Sequence, residues 1–355
     1  MTRREFVKSI GSGVALAALP AFAAKPEEIK AMLFHWGLNM WGESLPADVK
    51  KLTKGRRCND RVKFSDKLWN ELVDRMVEKR INMVVIDLGE FPVYPSHKEL
   101  ALPGSRPADW VRGEVRRLRS LGIEAIPKLN FSAAHDEWLG EYSRMLTTKP
   151  YYQVCHDVIR DTWEMFGHPR LLHIGYDEEQ TKFGQHGFVC YREDELWWHD
   201  FLWFVKECEA LQMRPWMWSD FGWYHDDFLT RCPKGVLQSN CYYDDWIQGF
   251  DLKTLERLQD EHGLPYKCLK LYLDLDKAGF DQVPCSSNWC SVDRQRKNLR
   301  NDESMGRLVK FCREHVSPER LRGFVMAPWE DCCNPDYGHR QNLNGIDQLA
   351  AAVGA

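Results

Sequence analysis

The run LLHIGYDEEQ (Leu171–Gln180) opens as an apolar strand and closes on three consecutive carboxylates, Asp177, Glu178 and Glu179. Like charges repel when crowded, so acids set where a strand leaves the core form either a solvated loop or a site. Successive side chains of a strand point to opposite faces. Asp177 and Glu178 can therefore share one pocket only if the chain bends at the strand end, and Gly175 permits such a bend. Glu179 reads as bystander charge.

Working outward, the same kind of short apolar run recurs at Ala31–Trp41, Ile81–Gly89, Ile123–Asn130, Arg214–Asp220, Gly235–Tyr243, Asp281–Trp289 and Arg322–Glu330. Amphipathic stretches lie between the runs. DKLWNELVDRMVEKR sets Leu68, Leu72, Val73 and Met76 at helical spacing, and WVRGEVRRLRSLG ends on Gly122, a C-terminal cap before the next strand. No repeat or linker divides the chain. Eight strands alternating with helices predict an α/β protein with one domain, a (β/α)8 TIM barrel over residues 25–355. An open doubly wound sheet would carry a Gly-rich phosphate turn after its first strand, and HWGLNMWGES is not one. Gly42–Ser65 reads as an elaborated loop over the barrel mouth.

Barrel active sites form where strands end. Those positions hold Asp87, Glu90, Asn130, His135, Asp177, Glu178, Trp218, Asp220, Tyr242, Tyr243, Asp245, Trp289, Trp329, Glu330 and Asp331. Acids and tryptophans on one rim suit a carbohydrate, whose apolar faces stack on aromatic rings. Not every tryptophan belongs there: Trp197, Trp198 and Trp203 lie mid-helix and read as packing, and His173 as a buried histidine rather than a metal ligand. The formal charge is −4; residues 1–24 carry Arg3, Arg4 and Lys8 against Glu5, which leaves −6 on the remainder. Nucleic acid, which needs a concentrated basic patch, is not an expected partner. The twelve cysteines contain no C-x-x-C pair, and Cys155, Cys208, Cys268 and Cys312 read as small core residues.

The adjacent Arg3 and Arg4, the moderately apolar IGSGVALAALPAF and the small residues around Ala23 make residues 1–24 a twin-arginine export signal. Its partner would be the twin-arginine translocation machinery, with delivery to the periplasm or beyond. The apolar stretch is too short for a stable span, and no later segment approaches one.

HIGYDE (His173–Glu178) is similar to the H-x-G-x-D-E signature of the β-N-acetylhexosaminidases, glycoside hydrolase family 20. IPKLNFSAAH (Ile126–His135) resembles that family's I-P-E-x-D strand and P-G-H loop. PWMWSD (Pro215–Asp220) resembles its W-x-[DE] strand, SNCYYDDW (Ser239–Trp246) its Tyr-x-Asp segment, and GFVMAPWED (Gly323–Asp331) its closing strand. The resemblance implies exo-acting hydrolysis of β-linked N-acetylhexosamine sugars without a metal or other cofactor. Glu178 would be the general acid, and Asp177 would orient the substrate's own 2-acetamido group as nucleophile. A negative Asp177 alongside would keep Glu178 protonated near neutral pH. Tyr243 or Tyr242 would bind the acetamido oxygen, Trp218, Trp289 and Trp329 would wall the sugar, and Glu330 would bind its outer hydroxyls, with His135, Asp220 and Asp245 also on the substrate's rim. The family's first-strand arginine is missing from FHWGLNMWGE, and Lys128 and Asn130 replace its third-strand acids.

Two other classes stay open. A metal-dependent sugar isomerase, epimerase or lyase would need several of Asp87, Glu90, His97, His135, Asp220 and His225 to converge. A carbohydrate-binding barrel without turnover would fit the altered first strand.

Overall fold

The structure, a computed structural model, describes residues 27–38, 60–180, 190–241, 243, 251–259, 263–289, 301–330 and 338–354. Residues 1–24 and most of the first connection lie outside them. Every run singled out above holds one strand: β1 Ile29–His35, β2 Met83–Asp87, β3 Glu124–Lys128, β4 Leu171–His173, β5 Arg214–Trp218, β6 Leu237–Ser239, β7 Cys285–Ser286 and β8 Gly323–Met326. All pair in parallel, in the order β6-β5-β4-β3-β2-β1-β8-β7. Isolated parallel bridges, Gln238 to Gln282 and Cys241 to Cys285, join β6 to β7 and close the ring.

A helix follows each strand: α1 Asp66–Glu78, α2 Ala108–Ser120, α3 Lys149–Met165, α4 Asp194–Ala210, the single turn α5 Phe228–Arg231, α6 Leu264–Lys277, α7 Ser304–His315 and α8 His339–Val353. This is the expected (β/α)8 barrel. α1 illustrates the local logic. Ser65 caps it by accepting the Leu68 N–H at 3.4 Å, and its buried face is Trp69, Leu72, Val73 and Met76. Trp69, not the expected Leu68, completes that stripe, because the larger ring fills the space against Phe34, Trp36 and Phe64. Each such buried side chain contributes roughly 1.5–3 kcal/mol.

Strand parity divides the core in two. Ala31, Leu33, Met83, Val85, Ile126, Leu171, Trp216 and Val325 fill the barrel interior. Their neighbours Met32, Phe34, Val84, Ile86, Leu172, Met217 and Phe324 face the helices. Continuing the interior parity to the C-terminal strand ends gives His35, Asp87, Lys128, His173 and Trp218, so the interior turns polar there.

Most tryptophans serve packing. Trp36, Trp69 and Trp110 join Phe64 and Phe91 with ring centroids 4.9–6.4 Å apart. Trp197 stacks on Phe221 at 3.6 Å with Trp198 beside it, and Trp203 packs on Tyr152 at 4.8 Å, as their mid-helix positions implied. Cys155, Cys208, Cys268 and Cys312 are buried, as their apolar surroundings in the sequence implied. Among the described residues no helix is long and apolar enough to cross a membrane.

Candidate active site

β4 stops at His173, earlier than its apolar run, because the chain turns. Gly175, Tyr176 and Glu178 have φ of 68°, 70° and 59°. A Cβ at position 175 would overlap the Asn130 amide, so the turn requires glycine there. For Tyr176 and Glu178 the left-handed region costs about 1–2 kcal/mol each. Neighbours impose it: Asn130 Oδ1 accepts the Tyr176 N–H at 3.2 Å, Asp220 Oδ2 accepts the Glu178 N–H at 3.0 Å, and the Ser132 hydroxyl donates to the Asp177 carbonyl.

The bend brings both acids to one side. His135 Nε2 lies 3.3 Å from Asp177 Oδ2 and 3.2 Å from Glu178 Oε2. Asn130 Nδ2 donates to Asp177 Oδ1 at 2.9 Å. The His135 side chain is 3% exposed, Asp177 19% and Glu178 35%, so the second acid of the pair is the one open to a ligand.

The electrostatics hold Asp177 ionised. Burial alone would raise Asp177, but His135, Lys128 and the Asn130 hydrogen bond outweigh it and hold its carboxyl below the usual carboxylate range. Burial alone would lower His135, and Asp177 and Glu178 instead push it up to about 10. His135 is thus a cation between the two acids, and the crowding expected of the pair is relieved by it. Asp220 goes the other way: burial, then the charge of Asp177, pushes its carboxyl well above the usual range.

Beneath this layer Lys128 pairs with Asp87, and His35 Nε2 is 3.5 Å from the same carboxylate. His173 is fully buried and held neutral by burial and by Lys128; its Nδ1 accepts the Gly175 N–H at 3.1 Å, the structural role read from the sequence. Trp218, at the end of β5, and Trp329, after β8, meet at 5.5 Å with planes 63° apart. Their rings cover His173 at 4.5 Å and His35 at 6.0 Å. Tyr243 and Trp289 form a separate perpendicular pair at 6.4 Å where β6 and β7 end. Glu330 follows Trp329, half-buried. Tyr242 and Asp245 lie outside the described residues.

Glu179 corrects the sequence reading. It is buried and no bystander: its carboxylate takes the Arg192 guanidinium and the Ala133 N–H. Arg192 carries no local signal in the sequence. The candidate metal ligands do not converge: His97 pairs with Glu99 and Asp157, and His225 stacks on Phe221. No group of three or more His, Cys, Asp or Glu among the described residues could hold a metal ion.

A cavity of about 1020 Å³ opens at the opposite, N-terminal end of the strands. Its arginines are engaged within the protein: Arg170 with Glu124, Arg214 and Arg322 with Asp281, and Arg313 with Glu28. Size therefore does not mark the site here; the cluster of acids and tryptophans does.

No protein-family model and no curated protein matches the chain. Solved structures do resemble it. A catalytic module of glycoside hydrolase family 20 from the pneumococcal exo-β-D-N-acetylglucosaminidase StrH superposes with a TM-score of 0.57 at 13% identity, over 92% of this chain and 83% of that one. The family 20 β-N-acetylhexosaminidase from Streptomyces coelicolor A3(2) gives 0.58 at 13% identity, over 92% and 65%. Dispersin B gives 0.51 at 12% identity, over 82% and 94%. The fold is therefore a (β/α)8 barrel like that of the family 20 hydrolases.

Proposed function

We propose that the chain is a glycoside hydrolase that removes β-linked N-acetylhexosamine residues from chain ends by substrate-assisted catalysis. The observation that carries this reading is the single-sided acid pair: two adjacent carboxylates on one imidazole, the outer one accessible, beside two tryptophan rings. Barrel likeness to family 20 hydrolases adds to it.

In the first step the acetamido carbonyl oxygen attacks the anomeric carbon, and Glu178 gives its proton to the departing glycosidic oxygen. Asp177, held ionised, accepts the acetamido N–H and offsets the positive charge growing on that group. The Nε2 proton of His135 stands between both acids, so it can shift toward Glu178 once Glu178 has become a carboxylate. Water then attacks the anomeric carbon as its bond to the acetamido oxygen breaks, gives a proton to the Glu178 carboxylate, and the sugar leaves with its acetamido group restored. Trp218 and Trp329 would wall the sugar, with Trp289 and Tyr243 on the β6–β7 side and Glu330 on outer hydroxyls. Asp220 Oδ1 is closed to solvent and Oδ2 accepts the Glu178 N–H, so Asp220 would act on the substrate through the acid turn rather than by direct contact.

The experiment is release of a chromophore from aryl β-GlcNAc and β-GalNAc, with and without EDTA. The expected result is EDTA-insensitive release that falls at least about 1000-fold in Glu178→Gln. EDTA-sensitive release surviving that substitution overturns the mechanism in favour of metal chemistry. Saccharide binding without release from any substrate favours a barrel that only binds.

A further inference from the structure

The buried ion triad behind the acid pair does more than fill space. Glu179 and Arg192 have fully buried side chains, as does Asp200 of α4. Glu179 Oε1 accepts the Arg192 backbone N–H at 2.7 Å and its Nε at 2.6 Å, and Oε2 accepts Arg192 Nη2 at 2.6 Å and the Ala133 N–H at 2.9 Å. Arg192 Nη2 also donates to the Phe131 carbonyl at 2.7 Å, and Nη1 to Asp200 Oδ2 at 3.3 Å. The guanidinium lies over the Tyr176 ring at 4.7 Å.

These contacts join two loops that the site needs in register. One is the β3 loop, which runs Phe131, Ser132, Ala133 and on to His135. The other is the β4 turn, which runs Tyr176 to Glu179 and holds Glu178 in its left-handed conformation. Glu179 anchors the far end of that turn, one residue beyond the proton donor. The same carboxylate grips the His135 loop at Ala133. An apolar residue at 179 would fix neither, because the Ala133 N–H and the Arg192 N–H and guanidinium would lose their shared acceptor.

We propose that Glu179 and Arg192 are positioning residues, which hold the His135 loop and the Asp177–Glu178 turn at the spacing that lets one imidazole meet both carboxylates. Neither touches substrate. The kinetic consequence rests on the hydrolase reading above; the geometric one does not.

The test compares the wild-type protein with Glu179→Gln and with the double variant Glu179→Leu/Arg192→Met. The double variant removes the Glu179 and Arg192 charges together, while Asp200, which loses its cation, keeps its hydrogen bonds from Thr147 and Tyr152. Near-UV circular dichroism and the thermal midpoint select the variants that fold, and Glu179→Gln, which keeps the side chain's shape, carries the test if the double variant does not. The first readout is the NMR titration of the His135 imidazole, assigned by the signal missing from His135→Gln. Asp177, Glu178 and, at longer range, Asp87 face that ring. Its titration near pH 10 in the wild type should fall by about one unit or more toward the ordinary value of about 6.5. The second readout is aryl hexosaminide hydrolysis: kcat should drop about 100-fold with KM within about threefold. A folded variant that keeps the wild-type His135 titration, or that keeps the wild-type kcat, overturns the inference. A displaced titration alongside a wild type that hydrolyses no hexosaminide supports the positioning role and overturns the proposed reaction instead.

Discussion

At Nε2 of His135 two carboxylate oxygens, from Asp177 and Glu178, lie 3.3 and 3.2 Å away, and the ring itself is buried. That contact ties stability to pH with a definite sign. His135 is raised to about 10 in the folded protein, against an unfolded value of about 6.5. Its contribution is complete below about pH 6.5 and is lost as pH rises through about 10. Asp177 is depressed, so its contribution is present above the ordinary carboxylate value and is lost as pH falls through the folded one. The two are views of one ion pair, which is therefore fullest between about pH 4 and 6.5. His135→Asn should lower the thermal midpoint, with the gap to wild type widest near about pH 5 and shrinking steadily from about pH 7 to 10. Melting curves across that range check it. A gap that is flat with pH, or that grows toward alkali, contradicts the ion pair.

The turn after β4 is the element on which the site depends. Gly175→Ala places a Cβ against the Asn130 amide at a φ of 68°. Asn130 must then move, and it is the residue that holds Asp177 Oδ1 and the Tyr176 N–H. A loss of about 1–3 kcal/mol is expected, seen as a lower denaturant midpoint at unchanged slope. Hydrolysis should fall with it, since Asp177 loses its amide donor. Wild-type stability and rate in Gly175→Ala would mean that the turn is not tight. This element also marks how far sequence reasoning reached. Gly175 and the acid pair were legible because a glycine before crowded charge at a strand end has few uses. Parity would also have found Lys128 beneath Asp177, since positions 126, 128 and 130 share a face with 173, 175 and 177 across the barrel. Glu179 was misread because its partner Arg192 is distant in sequence, and burial of a paired charge leaves no periodic trace.

Across the whole molecule the eight strands were readable from their alternation with amphipathic helices, but their unequal pairing was not. β1 pairs with β2 over five residues, Ala31–His35 with Met83–Asp87, and β2 with β3 over five more. Among the described residues β6 and β7 share no continuous ladder: isolated bridges, Gln238–Gln282 and Cys241–Cys285, join them, and β7 is two residues long. Local opening follows the density of buried hydrogen bonds, so the barrel should loosen first along the β6–β7 seam. The apolar runs look alike in sequence; the difference lies in register, which depends on contacts between strands rather than on either strand alone. Hydrogen exchange followed by mass spectrometry should find peptides over 31–35 and 83–87 the slowest, with 237–241 and 283–286 the fastest among the strands. Tyr243 and Trp289 stand at the ends of that seam, so a bound sugar touching them should slow exchange there more than at β1 and β2. Equal protection around the ring in the free protein would mean that the barrel opens as one unit, and the seam would then have no separate part in admitting ligand.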